Sequence, residues 1–463
     1  MMTEKLTVPE RTARVEVSDL HIRNLGVCRY DSPLMARLGL EAFHRVGRAD
    51  RVLLDDRFSR VSGTPPFDQP TFELAGPRDR IFFDPSTTRA AIVTCGGLCP
   101  GINNVVRGLV LELTHAYGVK EIFGFRYGYE GLIPRLGHAP LRLLPEMVAS
   151  IHEQGGTMLG TSRGSQDAGE MVDGLEGLGI DMLFVIGGDG TLRGAQTIVT
   201  ELARRRRNVA VIGIPKTIDN DIHFIDRSFG FETAFSAAVE VIRSAHVEAT
   251  GALNGIGVVK LMGRHSGFIA CHAALASTDV DFVLIPEIPI ELEAQNGLLE
   301  VLEYRLQHES HAVIVLAEGA GQELCAETSS PGGPPTTDAS GNVRLSDIGV
   351  ILRNRIVEHF RGKKVEITLK YIDPSYHIRS VAASPPDSVY CWNMSRHAVH
   401  AAMAGNTEML IGRWHGRFVH VPMPLATRYR KQVDTTGDLW TAVVESTGQP
   451  AFFGAPSPMR SPP

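Results

Sequence analysis

Long apolar runs and an excess of basic charge are missing from this chain, and cysteine is scarce. No apolar stretch approaches the roughly 18 residues that a membrane-spanning helix needs, so no membrane partner is expected. The opening residues, Met-Met-Thr-Glu-Lys-Leu-Thr-Val-Pro-Glu, lack the charged-then-apolar pattern of a secretory leader. Six cysteines (28, 95, 99, 271, 325 and 391) in 463 residues are too sparse for a disulfide framework. Cys95 and Cys99 flank a glycine turn, with no second cysteine pair or nearby histidine pair to complete a zinc site. A reducing, cytoplasmic compartment is therefore expected. Lys and Arg number 46 against 52 Asp and Glu, a net charge of −6, which argues against nucleic acid or an anionic membrane as partner. The one basic cluster, Arg204 to Arg207, ends a helical stretch at 195–203, where the helix dipole favours cations.

What is present is a soluble globular composition, 43% hydrophobic and 21% charged, long enough for two or three domains. Residues 1 to about 88 mix short apolar runs with Pro-rich turns and read as an N-terminal extension without a chemical motif. From Arg89 onward strands and helices alternate. Strand-like runs are expected at 90–94, 121–125, 182–186, 209–214, 257–261, 282–285, 312–316 and 366–369. Helices are expected at 102–115, 144–153, 228–244, 266–276 and 292–308. The strands are almost continuously apolar, as when helices cover both faces of a parallel sheet. The expectation is an α/β chain with two similar doubly wound, Rossmann-like parallel-sheet domains. Their boundary falls near 230–250, giving 89–235 (completed by part of 381–420) and 236–380. A C-terminal segment follows at 421–463. The Ser/Thr/Gly/Pro-rich stretch at 326–346 reads as a surface insertion and the last ten residues as a disordered tail.

Five glycine-bracketed turns carry the chemistry, four of them directly after an apolar strand, where ligands bind in such sheets. Residues 187–191, Gly-Gly-Asp-Gly-Thr, expose main-chain N–H groups at an expected helix start, with Asp189 placed to bind Mg²⁺. Residues 94–101, Thr-Cys-Gly-Gly-Leu-Cys-Pro-Gly, form a second such turn, which serves equally well as a plain βα connection. Residues 155–163 end in Arg163, a fixed cationic fork. Residues 213–221, Gly-Ile-Pro-Lys-Thr-Ile-Asp-Asn-Asp, hold Lys216, Thr217, Asp219 and Asp221. In an extended segment both carboxylates would point the same way. A hydroxyl attacking phosphorus needs a general base, and a carboxylate suits that role. Residues 260–267, Lys-Leu-Met-Gly-Arg-His-Ser-Gly, add Arg264, and Glu318, Lys370, Tyr376 and Arg379 follow further on. His265 reads as a structural hydrogen-bonding residue. No Walker sequence occurs, and the glycine spacing at 188–194 does not fit a dinucleotide fingerprint.

Taken together, these motifs resemble the phosphofructokinase family over about residues 88–415. The run Lys-Tyr-Ile-Asp-Pro-Ser-Tyr-His-Ile-Arg at 370–379 and the N-terminal extension are similar to its long, ATP-using plant and trypanosomatid members. The resemblance implies transfer of a phosphoryl group from ATP, with Mg²⁺, to the 1-hydroxyl of fructose 6-phosphate. It implies Asp219 as the base, supported by Thr217 and Asp221, with Arg264 stabilising the transferring group and Asp189 on the metal side. Gly96, Tyr129, Arg163, Gly188, Gly190, Thr191, Gly194 and Lys216 match nucleotide positions. Met262, Gly263, Arg264, Glu318, Lys370, Tyr376 and Arg379 match sugar-phosphate positions, together with Thr217 and Asp219. A cytoplasmic, allosteric homo-oligomer, dimer or tetramer, is implied as well. Short bacterial members carry Gly in place of Lys216 and Arg in place of Asn254-Gly255. The second difference shifts more phosphate binding to Lys370 and leaves open whether bacterial-type control through Glu287 survives.

Pyrophosphate-using members carry a second Asp at position 190, whose charge would repel the α-phosphate of ATP. Gly190 therefore favours ATP, with a pyrophosphate-dependent enzyme as the alternative. NAD kinases and diacylglycerol-type lipid kinases share the turn at 187–191 but are not expected to show the motifs at 213–221 and 262–267. A non-catalytic regulatory subunit is disfavoured because Asp189, Asp219 and Arg264 are all present.

Overall fold

Residues 15–38, 45–56, 69–328, 337 and 343–454 are described by the computed structural model. The stretch at 326–346 read as an insertion and the last ten residues lie largely outside the described residues. In chain order the strands of the two main sheets are β1 (Arg51–Leu53), β2 (Thr71–Leu74), β3 (Arg89–Thr94), β4 (Glu121–Phe125), β5 (Leu141–Arg142), β6 (Met182–Gly187) and β7 (Ala210–Pro215). There follow β8 (Gly255–Leu261), β9 (Phe282–Leu284), β10 (His311–Ala317), β11 (Thr368–Ile372), β12 (Met409–Trp414) and β13 (Arg417–Pro422). They build two sheets, ordered β1-β2-β13-β12-β7-β6-β3-β4-β5 and β9-β10-β8-β11.

The second sheet is wholly parallel, and so is the β12-β7-β6-β3-β4 core of the first. Antiparallel strands flank that core on both sides. Every residue of β6, β7 and β8 is buried, which explains their unbroken apolar sequences. The two sheets share the α/β plan but differ in size, nine strands against four.

The chain crosses from the larger sheet to the smaller and back, and one buried carboxylate ties these two crossings together; the C-terminal segment then returns to the smaller unit. Asp387, at the start of the helix Pro385–Met403, accepts from the Thr233 N–H (2.8 Å) and hydroxyl (2.6 Å) at the start of the helix Phe231–Thr250. Helix 231–250 packs on the smaller sheet, whereas helix 385–403 returns to pack on the larger. The apolar core cluster accordingly runs through both units.

Two expectations need correcting. Residues 144–153 are a chain of turns, with only a 3₁₀ turn at Ile151–Glu153. Pro145 has no N–H to give, and Leu144 and Met147 are each 42% exposed, so no apolar stripe rewards a helix there. The segment before Arg89 is more than an appendage: β1 and β2 continue the large sheet beyond β13. No helix among the described residues is long and apolar enough to cross a membrane, and none of the six cysteines forms a disulfide.

Phe72 on β2 is fully buried, with ring centroids 5.7 Å from Phe224 and 6.2 Å from Trp414. Phe72→Ala should lower unfolding free energy by about 3–5 kcal/mol, read as a lower denaturant midpoint. An unchanged midpoint would show that the N-terminal strands add nothing to the fold.

Candidate active site

The helix Asp189–Arg204 starts directly after β6, and no side chain caps its N-terminus. Its first N–H groups are thus left for a ligand, and the helix dipole favours an anion. A Cβ built on Gly190 meets nothing within 4 Å, so the space beside it is open. Gly194 is different. A Cβ there would come within 2.6 Å of the Tyr129 ring, whose buried hydroxyl donates to the Thr191 carbonyl at 2.6 Å. Tyr129 and Gly194 therefore support the helix start from beneath, and neither presents an open face.

The turn at 94–101 and the turn at 155–163 form one unit. The Gly96 N–H donates to Ser162 O (3.0 Å), the Thr161 hydroxyl to Gly96 O (2.7 Å) and the Thr94 hydroxyl to Gly160 O (2.6 Å). Asn103 completes the join, accepting from the Met158 N–H at 2.9 Å and donating to Gln154 O at 3.2 Å. Lys216 lies under this unit with its ammonium on Gly97 O at 2.6 Å. Burial pushes that ammonium below its ordinary pKa, offset in part by the neighbouring thiols of Cys99 and Cys95. Arg163 is exposed at the rim, and a Cβ on Gly97 would stand 3.5 Å from its guanidinium.

Residues 217–221 are a turn rather than an extended segment, because Asn220 adopts a left-handed conformation (φ 58°). Its side chain accepts from the Ser228 N–H at 3.0 Å, a local bond that suits Asn to this conformation. The carboxylates nonetheless stay close. Asp221 takes the Thr217 hydroxyl at 2.5 Å, and Asp219 takes the Arg264 N–H at 3.2 Å. The Ser266 hydroxyl holds the Asp219 carbonyl at 3.1 Å. Asp219 Oδ1 is shielded from solvent and has no hydrogen-bond partner among the described residues. Burial, with the charges of Asp221 and Glu318, pushes the Asp219 carboxyl up to about 7.

The smaller sheet delivers its share through β8 and β10. Gly263 sits at φ 126°, open to glycine and rarely to other residues. The Glu318 N–H bonds Leu261 O at 2.8 Å and the Gly319 N–H bonds Gly263 O at 3.0 Å. A Cβ on Gly319 would lie 2.0 Å from Arg264 O, so this contact tolerates glycine alone. Arg379 approaches Glu318 at 4.0 Å, and the Arg264 guanidinium takes no ion pair among the described residues. Met262 is fully buried and serves as packing. His265 is half-buried, its pKa held down by burial and then by Arg430 and Arg264.

Two expected members stand apart. Lys370 is exposed and pairs in register with Gly257. That is four residues short of the β8 end at Leu261, or about 13 Å of strand. The structure does not bring it to the turn at 262–264. Tyr376 is 89% exposed.

One residue was missed. Arg430, from the C-terminal segment, places Nη1 2.9 Å from Asp221 Oδ2 and Nη2 3.6 Å from Asp189 Oδ2. Arg193, one helical turn on, also reaches both Asp189 oxygens, at 3.3 Å. Nothing in Ala-Thr-Arg-Tyr-Arg-Lys-Gln-Val (426–433) marks this role, which depends on a chain return over two hundred residues long.

A family model described as Phosphofructokinase matches residues 89–402. The chain is 51% identical over 446 residues to an ATP-dependent 6-phosphofructokinase of Amycolatopsis methanolica, covering 95% of this chain and 97% of that one. It is 48% identical over 378 residues to the ATP-dependent 6-phosphofructokinase of Trypanosoma cruzi, covering 81% and 76%. Among solved structures, the pyrophosphate-dependent phosphofructokinase of Marinobacter aquaeolei superposes with a TM-score of 0.62 at 18% identity, over 75% of this chain and 85% of that one. The glycine turns converging on Asp219, the matched family region and the near-complete overlap with a half-identical relative lead to one conclusion: the chain belongs to the phosphofructokinase family.

Proposed function

We propose that this protein transfers the γ-phosphoryl group of ATP to the 1-hydroxyl of fructose 6-phosphate. The observation that carries the reading is Asp219, a carboxylate with an unspent, shielded oxygen, held by one main-chain N–H beside an uncapped helix start. Its pKa of about 7 suits a general base working near neutral pH. In this scheme the main chain at Gly188–Thr191 cradles the donor's phosphates, with Gly96 and Arg163 at the rim. Arg264 and Arg379 take the charge of the acceptor and of the transferring group. Thr217 and Asp221 hold Asp219's surroundings in place, and Lys216 braces the first turn from below. The larger unit, 89–235 with part of 381–420, would bind the nucleotide, and 236–380 the sugar phosphate. A homo-oligomeric, cytoplasmic enzyme remains the expectation from resemblance.

The donor follows from Gly190. The open space beside it admits the α-phosphate of ATP without a neighbouring carboxylate. Relatives at about half identity named as ATP-dependent point the same way.

Mg²⁺ fits the donor set. Asp189 and Asp221 are hard oxygen ligands near enough for one guanidinium to reach both. Among the described residues no third carboxylate, His or Cys completes a protein cage. Mg²⁺ is held in this way in phosphoryl-transfer sites, by one or two carboxylates plus substrate phosphates. Bound through Asp189, it would supply neutralisation of charge on the β and γ oxygens.

The direct assay is purified protein with fructose 6-phosphate, Mg²⁺ and either ATP or pyrophosphate, following fructose 1,6-bisphosphate. Asp219→Asn should lose at least about 100-fold in kcat with a small change in KM. The same variant should be more stable. Because the native carboxyl binds its proton more tightly than the unfolded one, it costs stability increasingly as pH rises from about 4 to about 7, and fully above that. Asp219→Asn should therefore gain up to ~4 kcal/mol at pH 8, about three pKa units at ~1.4 kcal/mol each, and much less at pH 5, read by thermal unfolding. Equal turnover in parent and variant would remove the base assignment. Gly190→Asp should depress kcat/KM with ATP at least about tenfold more than with pyrophosphate. Equal losses with both donors would count against the reading of position 190.

A further inference from the structure

We propose that Arg430 is a positioning residue of the phosphoryl-transfer site. Its guanidinium holds the cation position between Asp189 and Asp221, and it must swing away before a divalent cation can bind there. This rests on the reading of Asp189 as the metal-side acid.

The oxygens of both acids are already engaged. Asp221 gives Oδ2 to Arg430 Nη1 (2.9 Å) and Oδ1 to the Thr217 hydroxyl (2.5 Å). Asp189 gives Oδ2 to Arg430 Nη2 (3.6 Å), and Arg193 Nε stands 3.3 Å from each of its oxygens. A divalent cation needs these same anionic oxygens, and a guanidinium at this range repels it. Arg193 has another attachment, donating to Thr427 O at 2.7 Å, so its place on the helix surface is fixed independently. Arg430 has none beyond the two carboxylates among the described contacts, and its side chain is 37% exposed, with solvent to move into.

The backbone that carries it is fastened on both sides of the cleft. On the large unit Lys431 N–H bonds Asp221 O at 2.9 Å, and its ammonium bonds Ile225 O (2.9 Å) and Asp226 O (2.8 Å). On the small unit Gln432 reaches His265 O at 3.2 Å and Val433 N–H reaches Glu287 Oε1 at 2.7 Å. That same Glu287 oxygen accepts the Gly267 N–H at 3.1 Å. Beyond it, helix Asp438–Thr447 packs on helix Phe268–Ser277, and Gln449 pairs twice with the main chain of Val283. So the main chain of the strap is fixed while the arginine at its middle is free to turn. Displaced from the acids, its planar fork matches phosphate oxygens.

An arginine that organised the two acids for the metal would weaken metal affinity on removal. Displacement makes the opposite prediction. Mn²⁺ binding to the full-length protein without nucleotide, read from the free-Mn²⁺ electron paramagnetic resonance signal, should tighten by roughly three- to tenfold in Arg430→Gln. Arg430→Lys keeps the stem and the charge but reaches only one carboxylate at a time. It should tighten binding less than Arg430→Gln, and it serves as the folded comparator if the Gln variant proves unstable. In steady state the Mg²⁺ concentration giving half-maximal rate should fall while KM for fructose 6-phosphate holds. Unchanged or weaker Mn²⁺ affinity in both variants overturns the inference. Parent turnover with ATP and fructose 6-phosphate is measured alongside: an inactive parent removes the functional reading itself. An active parent with unmoved Mn²⁺ affinity removes only the role given to Arg430.

Discussion

A carboxylate deprived of most of its solvent and set beside two others is the interaction around which this molecule is arranged. Asp219 keeps one main-chain N–H for one oxygen and nothing for the other, while Asp221 and Glu318 add repulsion. An ordinary folded protein avoids such a site, because an unpaired, desolvated charge costs several kcal/mol or is neutralised by a proton. Here the neighbourhood is held together by main chain. Gly319 meets Arg264 O where no Cβ would fit, and Ser266 grips the Asp219 carbonyl. Cationic side chains (Lys216, Arg264, Arg379, Arg430) surround the acids, but none donates to Asp219 among the described hydrogen bonds. That combination leaves a basic oxygen in reserve, which is what abstraction of a hydroxyl proton requires.

The fold serves this arrangement by bringing strand ends from two sheets to one cleft. β6 and β7 bring the phosphate-cradling helix start and the Asp219 turn from one side. β8 and β10 bring Arg264 and Glu318 from the other. The buried Asp387–Thr233 contact joins two of the crossings between the sheets, and the C-terminal strap passes over the cleft between them.

Much of this was legible in the residues. The unbroken apolar character of 182–187, 210–215 and 255–261 belongs to strands buried on both faces, and the glycine clusters mark where those strands end. The conformation of Asn220 was read less well: an Asp-Asn-Asp alternation suggests an extended chain, and only the Ser228 contact turns it. Leu144, Met147, Val148 and Ile151 imitate a helical stripe, but only Val148 and Ile151 reach the core while Leu144 and Met147 stay exposed. Position 370 looked like part of the site because its motif lies next to Tyr376 and Arg379 in sequence, yet the register of β11 leaves it mid-strand. Arg430 and the strands at 51–53 and 71–74 carry no local signal at all. The partners of Arg430 (Asp221 and Asp189) and of the strand at 71–74 (β13) are two hundred residues or more away, and the strand at 51–53 joins the sheet only through 71–74, pairings that composition does not encode.

The measurement closest to the central claim is the ionisation of the Asp219 carboxyl itself. Infrared difference spectra between parent and Asp219→Asn protein, recorded across a pH series, isolate its carbonyl stretch. A protonated-carboxyl band that persists to a midpoint of about pH 7 is the predicted result. A band already lost by about pH 5, as for a solvated aspartate, would contradict the account.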